Sequence, residues 1–167
     1  MDRVVLVAYA SKHGSTRELA ERVCETIQAT GLRAHVRPAQ GVEDLDAYSA
    51  VILGGALYMG RLHRHAHRFL RRYEAALAER PFAVFGSGPT DEEPAHWAQA
   101  REQLHAALAR YDLDPVAVEV FGGRLDPSEL HFPLNRMPAG DVRDWPAIIV
   151  WARSLPDLLG LQSPLLV

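Results

Sequence analysis

Apolar residues follow two alternating rhythms along the chain. At 4–8 (VVLVA), 50–55 (AVILGG), 82–86 (FAVFG) and 116–121 (VAVEVF) they run nearly unbroken and are rich in β-branched and aromatic types. Strands buried on both faces have this composition. Segment 33–38 (RAHVRP) alternates only weakly and reads as an edge strand. Between these runs the apolar positions spread to helical spacing. Leu19, Val23 and Ile27 stand four apart within 15–30, a segment that stops at Gly31. Helices are also predicted over 64–79, over 95–111 with Pro94 suited to the first turn, and over 144–159 with Asp144 as N-cap and Pro146 in the first turn. Residues 122–142 form a long loop rich in Gly and Pro.

Strand and helix alternate five times. Such alternation predicts an α/β fold, doubly wound, with a five-stranded parallel sheet covered by helices on both faces. The second strand is the least apolar, as an edge strand should be, and strand order 2-1-3-4-5 places it there. Ligands in such sheets bind beyond the carboxyl ends of the strands, at the switch between strands 1 and 3.

The 167 residues suit one domain, 1–167, with no linker, repeat or low-complexity tract. A net charge of −3 gives no reason to expect nucleic acid. Cys24 is the only cysteine, so no intrachain disulfide can form. This fits a reducing cytoplasm, and the neighbouring stripe of Leu19, Val23 and Ile27 makes Cys24 a core residue. The opening MDRVVLV enters a strand at once, unlike a secretion signal, and no apolar stretch reaches the roughly 20 residues of a membrane-spanning helix. The final segment 158–167 (LLGLQSPLLV) is short and interrupted by Pro164, so it should pack on the domain or on a second subunit.

The chemistry concentrates at residues 8–23, AYASKHGSTRELAERV, where a strand ends and a helix begins after one short polar loop. A helix N-terminus offers unpaired N–H groups and partial positive charge, which suits an anion. Ser11, Ser15 and Thr16 add hydroxyls, Gly14 admits close backbone approach, and Lys12 and His13 add donors or charge. A plain N-cap by Ser15 or Thr16 accounts for the turn as well. Neither a Walker loop nor a G-x-G-x-x-G fingerprint is present.

The hexapeptide SKHGST (11–16) resembles the flavodoxin phosphate loop, [ST]-x-T-G-x-T, with His13 where threonine is usual. AVILGGALYMGRLHRHAHRFLRRY (50–73) is similar to the matching stretch of the menaquinone-dependent, oxygen-independent protoporphyrinogen oxidases. There a strand ends in IG-x-S/A-x-x-Y/M-G and a histidine-rich helix start follows. The resemblance implies a flavodoxin-like fold, non-covalent FMN, and an oxidoreductase of heme biosynthesis acting on protoporphyrinogen or a quinone. It places the phosphate on Ser11, Lys12, His13, Gly14, Ser15 and Thr16. The flavin ring would lie along Ala56, Leu57, Tyr58, Met59 and Gly60, with Tyr58 stacking, the Met59 thioether packing and Gly60 freeing a carbonyl to reorient. Ser87, Gly88 and Pro89 would meet its other edge. The family's long basic and aromatic insertion near the last strand has no counterpart in 122–142. A small electron-transfer protein, and a binding module that has lost FMN, therefore stand as alternatives.

Segment 61–73 (RLHRHAHRFLRRY) carries five arginines, three histidines and no acid. Beside a flavin it would attract an anionic small-molecule substrate or the acidic patch of a redox partner; the simpler reading is a solvated helix face. Arg64, Arg68 and Arg71 share one face by spacing, and Arg61 precedes the helix. His63 and His67 stand four apart, but no cysteine or carboxylate nearby completes a metal site, and none is expected. No residue stands out as a catalytic acid or base. A homodimer and a peripheral membrane contact stay open.

Overall fold

The structure, a computed structural model, describes residues 3–12, 14–129 and 131–161. Its strands are β1 (Val4–Ala10), β2 (Arg33–Pro38), β3 (Ala50–Tyr58), β4 (Arg61–Leu62), β5 (Phe82–Ser87), β6 (Ala117–Phe121), β7 (Arg124–Leu125) and β8 (Gly140–Asp141). Its helices are α1 (Ser15–Gln28), α2 (Arg64–Arg72), α3 (Glu74–Ala78), α4 (Pro94–Leu108) and α5 (Trp145–Leu158). The main sheet runs β2-β1-β3-β5-β6, all parallel, with two-residue β4 folded back antiparallel on the end of β3. For the five principal strands this is the expected order; β4 is the one addition.

Side chains alternate across the sheet with period two, so each central strand feeds two cores. Val5, Val7, Ile52, Ala83 and Phe85 pack under α1 and α5; Leu6, Ala8, Val51, Leu53 and Val84 pack under α2 and α4. Cys24 lies in the first core, and its burial pushes the thiol up to about 11. Leu159 and Leu161 extend the same core past α5, while 162–167 lie outside the described residues. No helix among the described residues is long and apolar enough to cross a membrane.

Two expectations change. The helix predicted over 64–79 breaks at Tyr73 (φ −108°, ψ 18°) into α2 and α3. Tyr73 is buried, and its hydroxyl donates to the Val42 carbonyl at 2.7 Å, a tertiary tie that helical periodicity does not encode. The loop 122–142 is partly ordered, with β7 and β8 pairing antiparallel. The expected helix starts hold: Asp144 accepts from the Ala147 amide at 3.1 Å, and Pro94 opens α4.

Candidate functional site

The register aligns the carboxyl ends of β1, β3 and β5: Ala10 sits beside Gly55, and Ala56 beside Ser87. The loops leaving these ends meet around a cleft of about 670 Å³. Ser11, Lys12, Ser15 and Thr16 line one part of it. Gly14, at φ +83°, is the N-cap of α1, and no side chain caps the first turn there. The capping expected of Ser15 or Thr16 is therefore not observed. Ser11 Oγ instead accepts from the Gly14 amide at 3.2 Å, and Ser15 Oγ from the Arg124 amide at 3.0 Å. Thr16 is buried, 1% exposed, at the cleft wall. His13 lies outside the described residues.

Ala56, Leu57 and Tyr58 form the next wall. Tyr58 then pairs with Arg61 across a two-residue loop in which Met59 and Gly60 both have positive φ, 51° and 78°. Two consecutive left-handed residues are the signature of a type I′ hairpin. The turn carries Met59 out to 71% exposure, and it does not line the cleft. Gly60 makes the turn and does not line the cleft. Ser87 and Gly88 line the cleft from the third loop. Pro89 is buried behind them, and its carbonyl accepts from the Gly123 amide at 2.8 Å.

A fourth wall was missed from sequence: Gly123, Arg124, Leu125, Asp126 and Glu129 close the cleft from the 122–142 loop. The predicted order places the last strand beside the fourth, so its outgoing loop emerges at the same end of the sheet. That was the available signal. The loop is pinned where it returns: the Arg143 guanidinium pairs with Asp141 at 2.9 Å and with Glu18 of α1, and lies 5.0 Å over Trp145.

Charge around the cleft is mixed but mostly positive. Lys12, Arg61, Arg64 and Arg124 line it, against Asp126 and Glu129. Arg124 faces Asp126 at 3.5 Å, while Arg61 and Arg64 form no ion pair among the described residues. Hydrogen bonds from the Ser128 hydroxyl and amide hold the Asp126 carboxyl below its usual range.

His63 also lines the cleft, and its role is set locally. Its Nδ1 accepts from the His65 amide at 3.1 Å and so caps α2, while its own amide donates to the Ala56 carbonyl at 2.8 Å. His67 turns elsewhere, with Nδ1 2.6 Å from the Tyr111 hydroxyl. The spacing of His63 and His67 thus does not bring them together as a ligand pair.

Burial first, then neighbouring positive groups, lowers the pKa of His63, His65 and His67. A group with a depressed folded pKa contributes stability that is present above its unfolded value and lost as pH falls through the folded one. For histidine the loss begins near an unfolded value of about 6.5. The Tm should accordingly fall from pH 7.5 to pH 5. His63→Asn keeps an N-cap acceptor but removes the titrating ring, and should flatten part of that fall. An identical pH profile for variant and wild type would exclude His63 from the effect.

Residues 6–137 match the family model described as the flavodoxin domain. The chain belongs to the flavodoxin domain family. This flavodoxin-domain protein is 22% identical over 91 residues to protoporphyrinogen IX dehydrogenase [quinone] of Escherichia coli (strain K12), across 53% of this chain and 50% of that protein. The match thus spans about half the length of that relative. Among solved structures, a flavodoxin from the domain Archaea aligns with TM-score 0.61 at 15% identity, over 94% of this chain and 99% of that one. The flavodiiron core of Flv1 from Synechocystis sp. PCC6803 aligns with TM-score 0.62 at 16% identity, over 95% of this chain and 36% of that one. These likenesses agree with the fold derived from the strand order.

Proposed function

We propose that this flavodoxin-domain protein binds FMN non-covalently in the cleft and acts as an oxidoreductase on an anionic porphyrinogen or a quinone in the cytoplasm. The observation that carries this reading is the convergence of four strand-end loops on one cleft, which is also lined by the first residues of a helix whose N-terminus no side chain caps. The cleft volume, about 670 Å³, falls within the span of small-molecule and cofactor sites. The residues present fit the group. Ser11, Ser15, Thr16 and the first-turn amides of α1 would hold the phosphate. Leu57, Tyr58, Ser87 and Gly88 would flank the ring with apolar surface and a few polar contacts.

FMN, when bound, supplies hydride and single-electron transfer; the protein supplies binding, orientation and electrostatics. Arg61 and Arg64 would bias the entrance toward anions by long-range attraction. The likeness to the Escherichia coli enzyme supports a porphyrinogen or quinone as reactant.

The test is titration of the purified protein with FMN and, separately, with riboflavin, which lacks the phosphate. Saturable change in flavin fluorescence with FMN, and weaker binding of riboflavin, are expected. No change with either flavin would overturn the reading and leave a binding module without cofactor. With FMN bound, anaerobic reduction by protoporphyrinogen IX or by a quinol identifies the reactant.

A further inference from the structure

A second concavity, of about 460 Å³, lies beside the cleft between α2 and the turn Ala39–Gly41 that follows β2. Its base is apolar and largely buried: Ala39, Phe69 and Tyr73. Its wall is cationic, with Arg68, Arg71 and Arg72 lining it. His65 lines both this groove and the cleft, so the two are contiguous. Arg72 is held in place, donating to the Glu43 carbonyl at 3.1 Å with its guanidinium 5.1 Å over the Tyr73 ring. Arg68 and Arg71 form no ion pair among the described residues. Glu43 and Asp44 lie near Tyr73, at one end of the groove.

We infer that this groove docks an acidic segment of a redox partner protein, bringing the partner alongside the cleft mouth. The inference rests on the cleft being a redox centre. Spacing supports an extended peptide. Arg68 and Arg72 stand one helical turn apart, about 6 Å in rise, and alternate side chains of an extended chain repeat at about 6.6 Å. Two carboxylates on one side of such a segment therefore meet two guanidinium groups, each able to bind a carboxylate through paired N–H donors. A bilayer is the poorer match. Interfacial helices insert an apolar face, whereas the large apolar side chains of α2, Phe69 and Leu70, are buried beneath it.

The experiment uses the whole protein and a fluorescein-labelled octaglutamate peptide at low salt, with octaglutamine as control. Octaglutamate should bind and octaglutamine should not. Arg68→Glu with Arg72→Glu should weaken octaglutamate about tenfold, because each exposed pair is replaced by repulsion. Arg153→Glu, an equal type of change on α5 across the sheet, should leave binding intact. Amide shifts induced by the peptide should concentrate in 39–41 and 64–73. FMN titration of the same variants should be unchanged; loss of FMN binding in wild type would overturn the redox reading alone, since peptide docking is read without flavin. The docking proposal is overturned if the double variant binds octaglutamate as wild type does, or if the shifts fall elsewhere. Binding to phosphatidylserine vesicles without binding to octaglutamate also overturns it, in favour of a membrane surface.

Discussion

Replacing Ser11 and Thr16 together by alanine is expected to raise the Kd for FMN by two to four orders of magnitude while leaving the fold intact. Both residues line the cleft at the α1 end. A hydrogen bond to a charged partner contributes roughly 1.5–3 kcal/mol, so two such losses give about 3–6 kcal/mol, or about 10²–10⁴ in Kd. Ser11 carries a second cost. Its Oγ accepts from the Gly14 amide at 3.2 Å, and without that bond the turn entering α1 is less well held. Thr16→Ala should therefore weaken FMN by the direct contact alone, and Ser11→Ala by contact plus loosening. Thermal melts of the protein without flavin should move little, because neither hydroxyl holds a helix cap. Fluorescence titration decides the matter: an unchanged Kd in the double variant would remove the phosphate from this loop.

How far the sequence revealed the site depends on how local each feature is. The strand order was legible because polarity ranks the strands: in β2, Arg33 and Arg37 are exposed, while Val5 to Ala8 of β1 are sealed on both faces. That ranking forces β2 to an edge and the switch point to β1 and β3. The phosphate-loop candidates were legible because a strand end and a helix start are local patterns. The identity of the cap was not, because Ser15 is drawn to the Arg124 amide, 109 positions away. The break at Tyr73 is equally non-local, set by a bond to the Val42 carbonyl. The hairpin that exposes Met59 was not legible, because a tyrosine-to-arginine turn with two left-handed residues gives no composition cue without Asn or Asp before the glycine. The 122–142 loop hid most completely. It has no apolar period, and its position depends on Arg143 reaching Glu18, 125 positions back in the chain.

That loop is the subject of the second large expected effect. Gly122→Ala and Gly140→Ala should each shift the loop, lower the Tm and weaken FMN, although neither glycine lines the cleft. A Cβ on Gly122 would lie 2.3 Å from the Val142 carbonyl oxygen, and one on Gly140 2.3 Å from that of Thr90. Both obstacles are backbone atoms, so relief requires moving a chain segment and cannot come from a rotamer change. Overpacking of this kind costs about 1–3 kcal/mol. For a chain of this size that corresponds to a Tm about 2–12 °C lower. The consequence for the cleft follows from the connections: displaced 122–142 backbone withdraws the Arg124 amide from Ser15 and moves the Gly123–Glu129 wall.

Gly160→Ala separates this mechanism from simple backbone strain. A Cβ there meets nothing within 4 Å, but φ is +68°. Left-handed backbone costs a residue with a Cβ about 1–2 kcal/mol, so this variant should also melt lower. It sits beyond α5, remote in connection from the loop, and should bind FMN as wild type does. Differential scanning calorimetry and FMN titration across the three variants make the comparison. If Gly122→Ala and Gly140→Ala lose stability yet keep wild-type FMN affinity, the loop is a structural cover and the cofactor rests on the β1, β3 and β5 loops alone.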